Sequence, residues 1–144
     1  MWNGVRMRAV VACVLLLAAT VAAEAQTCAR VDFEAVVDQA SATLVQVAQR
    51  NAPAFQAKLR ALKDKRGWTN DQLMKDGATF VRDETIAGYD ERSEQLLIKI
   101  NTQGGASADC AVLNELRAAM TALVETQTAK WTYMVDKIDK ELAR

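Results

Sequence analysis

Two kinds of residue in this chain could do chemistry: its cysteines and its clustered carboxylates. Cysteines stand at positions 13, 28 and 110, and no two of them have the Cys-x-x-Cys spacing of redox or zinc sites. The chain has no histidine, which removes the commonest general base and the usual ligand of copper and haem. The cysteines therefore predict a structural bond rather than a reactive centre.

Acidic side chains are concentrated between residues 83 and 94. They would lie on two neighbouring faces of a helix, with Glu84, Glu91 and Glu94 on one and Asp83 and Asp90 on the other. A calcium ion favours such oxygen ligands, but Arg82 and Arg92 are interleaved with them and no calcium-loop spacing is present. The pattern favours a solvated charged face. Without a recognisable acid, base and nucleophile, we predict that the protein is not an enzyme and holds no metal or cofactor.

The first 25 residues have the order of a secretory signal peptide. Arg6 and Arg8 precede an uncharged, mostly apolar run over residues 9–23, and the small-x-small triplet 23–25 closes it. The run has 15 residues, fewer than the ~20 that an untilted helix needs to cross a bilayer core. Cleavage after Ala25 would leave one domain, residues 26–144, with 16 basic and 17 acidic side chains. That charge balance predicts no nucleic-acid partner.

Export would place Cys28 and Cys110 in an oxidising compartment, the periplasm or the cell exterior. Cys13 would leave with the signal peptide, so the two remaining cysteines are predicted to pair. Lipid attachment at Cys28 is the alternative, but Gln26 and Thr27 are poor residues to precede a lipidated cysteine. A Cys28–Cys110 disulfide would close a loop of about 82 residues, for which the chain-entropy model gives roughly 4 to 5 kcal/mol of stabilisation.

Apolar residues recur at helical spacing along three segments and predict helices over 31–66, 69–103 and 107–143. The first continues beyond Pro53, where we expect a kink, and stops at Gly67. The predicted core faces are Phe33, Val37, Ala40, Leu44, Val47, Phe55, Leu59 and Leu62 in the first helix, Met74, Ala78, Val81, Thr85, Tyr89, Leu96 and Ile100 in the second, and Leu113, Leu116, Met120, Leu123, Gln127, Trp131, Met134, Ile138 and Leu142 in the third.

The predicted disulfide determines how these helices are arranged. Cys28 lies just before the first helix and Cys110 in the first turn of the last, so their bond places two helix N-termini at one end. In a four-helix bundle with a full turn at Pro53, those ends would lie a bundle length apart, about 50 Å for a helix of ~34 residues. The sequence therefore predicts an all-α, up-down-up bundle of three long helices, the first kinked at Pro53, stapled by one disulfide.

Candidate binding residues follow the first helix and lie on the last one. Lys63, Lys65 and Arg66 either oppose the negative end of the first helix or form a docking patch, and Trp68 comes directly after them. Tyr133 points away from the predicted core stripe, as an aromatic anchor at a protein interface would. These five residues are the candidate binding surface.

Thr69 and Gln72 form a capping box that opens the second helix. Together with Trp68, they also resemble the Leu-Thr-x-x-Gln motif of small helical periplasmic stress chaperones, with tryptophan in place of the leucine. The resemblance covers five residues and one copy of the motif, and we make no family assignment from it.

The sequence predicts an exported, non-enzymatic protein that acts through protein–protein contacts, in the periplasm or outside the cell. A chaperone-like client binder and an envelope accessory factor are two forms of this hypothesis. The alternative is a carrier of a small apolar ligand, with a cavity between the helices. No membrane span is expected in the mature chain.

The exported protein should begin at Gln26, because the apolar run is short and a small-x-small triplet ends there. Intact-mass measurement of the secreted protein checks this. A mass that includes residues before Ala23, or a lipid on Cys28, would contradict the predicted compartment.

Overall fold

A computed structural model of the protein describes residues 28–103 and 109–144. Its elements are α1 over Arg30–Arg66, α2 over Asn70–Asp76, a 3₁₀ helix over Gly77–Phe80, α3 over Glu84–Gln103 and α4 over Cys110–Ala143. The all-α class is thereby confirmed. The predicted signal peptide, residues 1–25, lies outside the described residues. Among the helices described, none is both long enough and apolar enough to span a membrane.

Helix α1 runs without interruption through Pro53, so the four-helix alternative with a chain reversal there is excluded. The helix stops where the sequence predicted. Gly67 adopts a left-handed conformation with φ of 62°, which glycine reaches without steric cost. The backbone N–H groups of Gly67 and Trp68 donate to the carbonyls of Asp64 (3.2 Å) and Lys63 (3.0 Å), the Schellman pattern of a helix end.

The predicted disulfide is present, with the Cα atoms of Cys28 and Cys110 5.1 Å apart. At the other ends of the same two helices, Lys65 Nζ donates to the carbonyl of Leu142 at 2.6 Å. Because the starts of α1 and α4 lie together and so do their ends, the two helices are parallel. The bond also uses the sulfur of Cys28, which therefore cannot carry a thioether-linked lipid.

Helix α3 runs antiparallel to α4, since residues later in α3 meet residues earlier in α4. The pairs are Asp83–Lys137, Asp90–Lys130, Ser93–Gln127 and Gln103–Glu115. Helix α4 packs along both α1 and α3, whereas in the described part of the chain the backbones of α1 and α3 scarcely approach each other. The up-down-up arrangement is therefore built around α4.

Two apolar clusters form the core. One contains Phe33, Ala40, Ile100, Leu113, Leu116, Ala119, Met120 and Leu123, and the other contains Phe55, Leu62, Phe80, Ile86, Met134 and Ile138. Between them, Gln127 Nε2 donates to Ser93 Oγ at 2.8 Å. We call residues 28–47, 94–103 and 109–126 the disulfide half, and residues 48–93 and 127–144 the distal half.

The second predicted helix, 69–103, is not continuous, and this corrects the sequence prediction. Helix α2 ends at Asp76, and the 3₁₀ helix and a short turn lead to Asp83, after which α3 begins. Phe80 and Ile86 are both buried. In one continuous helix, six residues of separation would turn these side chains about 120° apart. The break lets both reach the core.

The break also changes which side chains are buried. Met74, Val81 and Thr85 were predicted on the core face but are exposed, Met74 to 78%. Val81 and Thr85 follow the break, where the chain has changed phase, whereas Met74 lies on α2, which has no buried residue. In α1, Val37 is likewise exposed and its neighbour Val36 packs against the core instead.

The capping box that the sequence predicted at the start of α2 is confirmed. Thr69 Oγ1 accepts from the Gln72 backbone N–H at 3.2 Å, and Gln72 Oε1 accepts from the Thr69 N–H at 2.8 Å. Helix α3 continues through Gly88, where an added Cβ would meet nothing within 4 Å. This glycine therefore lowers helix stability only through its backbone freedom.

Replacing both Cys28 and Cys110 with serine should lower the melting temperature while preserving the helical circular dichroism at room temperature. The bond restricts mainly the unfolded chain, by roughly 4 to 5 kcal/mol, whereas the two apolar clusters stay intact. Thermal and urea unfolding measure the loss, and reduced wild-type protein should match the variant. A variant without helical signal at room temperature would show that the clusters do not hold the bundle alone.

Candidate functional site

Two of the three basic residues of the candidate binding surface contact the C-terminal end of α4, and the third contacts α2. Lys65 donates to the Leu142 carbonyl, and Arg66 pairs with Glu141. Lys63 Nζ donates to the side chain of the first residue of α2 at 2.5 Å. Their positive charges lie near the carbonyl ends of two parallel helices, where they oppose the partial negative charge. These contacts give the three residues a structural role, and their role in docking remains a prediction.

The two aromatic residues of the candidate binding surface are half-buried and pack against the distal apolar cluster. The guanidinium of Arg66 lies 6.0 Å from the ring centroid of Trp68, at the limit of cation–π range. Tyr133 lies elsewhere, beside the start of α3, where its hydroxyl donates to Asp83 Oδ2 at 3.0 Å. The structure thus brings Trp68 to the basic residues but separates Tyr133 from them.

Asp83 joins α3 to α4 through a network that the sequence analysis missed. Its Oδ1 accepts from the Ile86 backbone N–H at 2.8 Å, which caps α3, and its Oδ2 accepts from Lys137 Nζ at 2.5 Å. These hydrogen bonds, that from Lys137 first and that from Ile86 second, lower the pKa of Asp83 from 3.8 to about 2. Asp83 directly precedes the first residue of α3, and aspartate is a preferred residue at the N-cap of a helix. The sequence therefore contained a signal for the start of α3.

The other acidic residues of this region face solvent. Glu84, Glu91 and Glu94 are exposed, and Asp90 forms a surface pair with Lys130. In the part of the chain that the structure describes, no group of three or more histidine, cysteine, aspartate or glutamate side chains is placed to hold a metal ion.

Ion pairs between helices and exposed apolar side chains are distributed unequally between the two halves of the bundle. Four ion pairs link helices in the distal half: Lys58–Asp139, Arg66–Glu141, Lys130–Asp90 and Lys137–Asp83. In the disulfide half, Lys99 and Glu115 form a looser pair at 3.6 Å. That half also exposes five large apolar side chains: Val31, Val37 and Val45 on α1, and Leu97 and Ile98 on α3. In the described part of the chain, the distal half exposes two such side chains, Met74 and Val81.

Three open grooves are lined by described residues. The α1–α4 groove, of about 370 Å³, is lined by Val36, Gln39, Ala40, Thr43, Arg117, Met120, Thr121, Val124 and Glu125. The α3–α4 groove, of about 510 Å³, is lined by Tyr89, Val124, Glu125, Thr128, Ala129, Thr132, Tyr133 and Asp136. A third, of about 500 Å³, lies on α3 and is lined by Gly88, Glu91, Arg92, Gln95, Leu96 and Lys99.

Comparison of the chain with protein-family models, with curated proteins and with solved structures found no match. Function is therefore inferred from the side chains and surfaces of this chain.

Asp83→Asn should destabilise the protein at neutral pH, and the difference from wild type should shrink in acid. The lowered pKa means that the carboxylate contributes fully above about pH 4 and loses its contribution as the pH falls toward 2. Asparagine keeps the helix cap but removes the charge facing Lys137. Urea unfolding at pH 7, 5, 3 and 2 measures the free energy of both proteins.

Asp90→Asn is the matched control, because it removes a carboxylate that pairs with a lysine of α4 without capping a helix. Its effect at pH 7 should be smaller, as expected for a surface ion pair. A difference between wild type and Asp83→Asn that stays constant down to pH 2 would contradict the role assigned to Asp83.

Proposed function

We propose that this is an exported, non-enzymatic protein that acts by binding another protein through the disulfide half of its bundle. The Cys28–Cys110 bond supports an extracytoplasmic location, because disulfides persist in oxidising compartments such as the periplasm and the cell exterior. The observation that carries the proposal is the exposure of apolar side chains in that half.

Leu97 and Ile98 are the best-defined part of this apolar surface. They are adjacent on α3 and 47% and 57% exposed. Single exposed apolar residues are common on soluble proteins, but here five of them share one half of the bundle. Apolar surface that water contacts in the free protein gains about 25 cal/mol per Å² when a partner covers it.

The partner chemistry that fits this surface is an apolar segment of another protein. The exposed side chains are aliphatic, and they lie on two helices that flank α4 rather than in one deep pocket. Such a surface suits extended or partly folded clients, the chaperone-like form of the proposal, or a fixed partner in the envelope.

A carrier of a small apolar ligand is the second candidate, and the α1–α4 groove favours it. Val36, Ala40, Met120 and Val124 give this groove an apolar floor, with Arg117 at its edge. Native mass spectrometry of gently purified protein separates the two functions, because a carrier retains a small ligand that heating releases.

Replacing Leu97 and Ile98 together with aspartate should reduce partner binding at least about 5-fold, because each substitution puts a charge where apolar contact is expected. The measurement is crosslinking of the exported protein in its native host, followed by mass spectrometry of the captured partners. Both residues are exposed, so the variant should fold, which circular dichroism checks.

The matched control replaces Met74 and Val81 with aspartate, since both are exposed apolar residues of the distal half. This control should capture the same partners as wild type. If both double variants capture fewer partners to the same extent, the binding is unspecific adhesion. If the Leu97→Asp/Ile98→Asp variant captures as many partners as wild type, the disulfide half is excluded as the binding surface.

A further inference from the structure

Charged side chains lie at both ends of the α1–α4 groove, whereas no charged residue lines its middle. On α4, Arg117 and Glu125 line the groove and are separated by seven uncharged residues. On α1, Asp32 and Arg50 are 18 residues apart, which is about five helical turns, so both lie on one side of the helix. This is the groove side, because Asp32 lies one turn before Val36, which lines the groove. Each helix therefore carries one acidic and one basic residue, in opposite order along the chain.

These four side chains form no ion pair within the described part of the chain. Asp32 accepts a hydrogen bond from the Ala29 backbone N–H at 3.0 Å, and Arg117 donates to the Asn114 side chain at 3.4 Å. All four residues are exposed. Their charges are therefore available to pair with another molecule.

The charges are also arranged symmetrically about the middle of the groove. Arg117 and Glu125 are each four residues from Thr121, and Asp32 and Arg50 are each nine residues from the midpoint between them. Thr121 lines the groove, and the α1 midpoint lies between two residues that line it as well. Both midpoints are therefore at the same level of the bundle, and a single two-fold axis can pass through both.

Such an axis would pair each charge with an opposite charge of a second copy. In a two-fold symmetric dimer, residue i of one copy contacts residue j of the other, and j contacts i. If the helices of the two copies are antiparallel, a residue before the midpoint faces the residue at the same distance after it. Arg117 then faces Glu125, and Asp32 faces Arg50, so four ion pairs cross the contact.

The uncharged middle of the groove suits the same surface of a second copy. Val36, Ala40, Met120 and Val124 form its floor. In the antiparallel arrangement α1 packs on α1 and α4 on α4, so the two floors face each other inside a contact of four helices. A contact about 20 Å wide and about 27 Å long covers roughly 500 Å² on each copy. This area is near the lower limit of specific interfaces, so we expect a dissociation constant in the micromolar range.

We infer that the α1–α4 groove is the contact surface of an antiparallel homodimer, held by ion pairs of Arg117 with Glu125 and of Asp32 with Arg50 between the two copies. The inference is independent of the proposed function, because Leu97 and Ile98 lie on α3, outside this groove.

Sedimentation velocity of the disulfide-bonded protein, measured from micromolar to millimolar concentration, tests the inference. Wild type should change reversibly from monomer to dimer. Arg117→Glu and Glu125→Arg should each raise the dissociation constant at least about 10-fold, because each places two pairs of like charges at the contact. Arg50→Glu should act in the same direction by facing Asp32. A wild-type protein that stays monomeric at every concentration would overturn the inference.

Exchanging the charges should restore the dimer. In the double variant Arg117→Glu/Glu125→Arg each residue again faces an opposite charge, so the dissociation constant should return to within about 3-fold of wild type. An equimolar mixture of the two single variants should form a heterodimer for the same reason. Failure of either restoration would contradict the antiparallel pairing.

Arg92→Glu and Glu94→Arg are the matched controls. They change the net charge by the same amounts as the two test variants, and both residues are exposed on α3 outside the groove. The controls should leave the dissociation constant unchanged, and all variants should keep the circular dichroism of wild type. An equal loss of dimer in the controls would overturn the inference, because net charge alone would then explain the effect.

Two other occupants or arrangements predict different results. In a parallel dimer Arg117 would face Asp32 of the second copy, so exchanging these two charges, rather than those of Arg117 and Glu125, would restore dimerisation. A small ligand in the groove would leave the protein monomeric, and native mass spectrometry would detect the added mass. Either result would overturn the inference.

Discussion

The parallel alignment of α1 and α4 is the constraint on which the rest of the packing depends. A covalent bond between Cys28 and Cys110 sets it at one end, and the bond from Lys65 to the Leu142 carbonyl matches it at the other. Because two parallel helices cannot be joined by a short turn, the chain must return between them. Helix α3 makes this return along α4, which leaves α4 as the helix that contacts both neighbours.

The two halves of the bundle are held together by different physical means. A disulfide closes the disulfide half covalently, whereas four ion pairs cross between helices of the distal half. The disulfide half has its own buried apolar cluster, to which α3 contributes Ile100. Leu97 and Ile98 lie on the same helix outside that cluster, and they remain accessible to another molecule.

The site residues show where sequence reasoning was effective. Lys63, Lys65 and Arg66 were placed correctly at a helix end by their position before Gly67, but their contacts with α4 depend on the parallel packing. The connection from Tyr133 to Asp83 joins residues 50 positions apart, and no local pattern indicates it. The α3–α4 groove was missed for the same reason, since it combines side chains of two helices.

The sequence by itself determined the all-α class, the end of α1 at Gly67, the capping box of Thr69, the core face of α4 and the pairing of Cys28 with Cys110. These depend on local backbone geometry, on a 3.6-residue period and on a count of two cysteines. Only the tertiary structure decided where the middle segment breaks. The gain from burying both Phe80 and Ile86 exceeds the cost of interrupting a helix, and that balance exists only when α1 and α4 are in place to receive them.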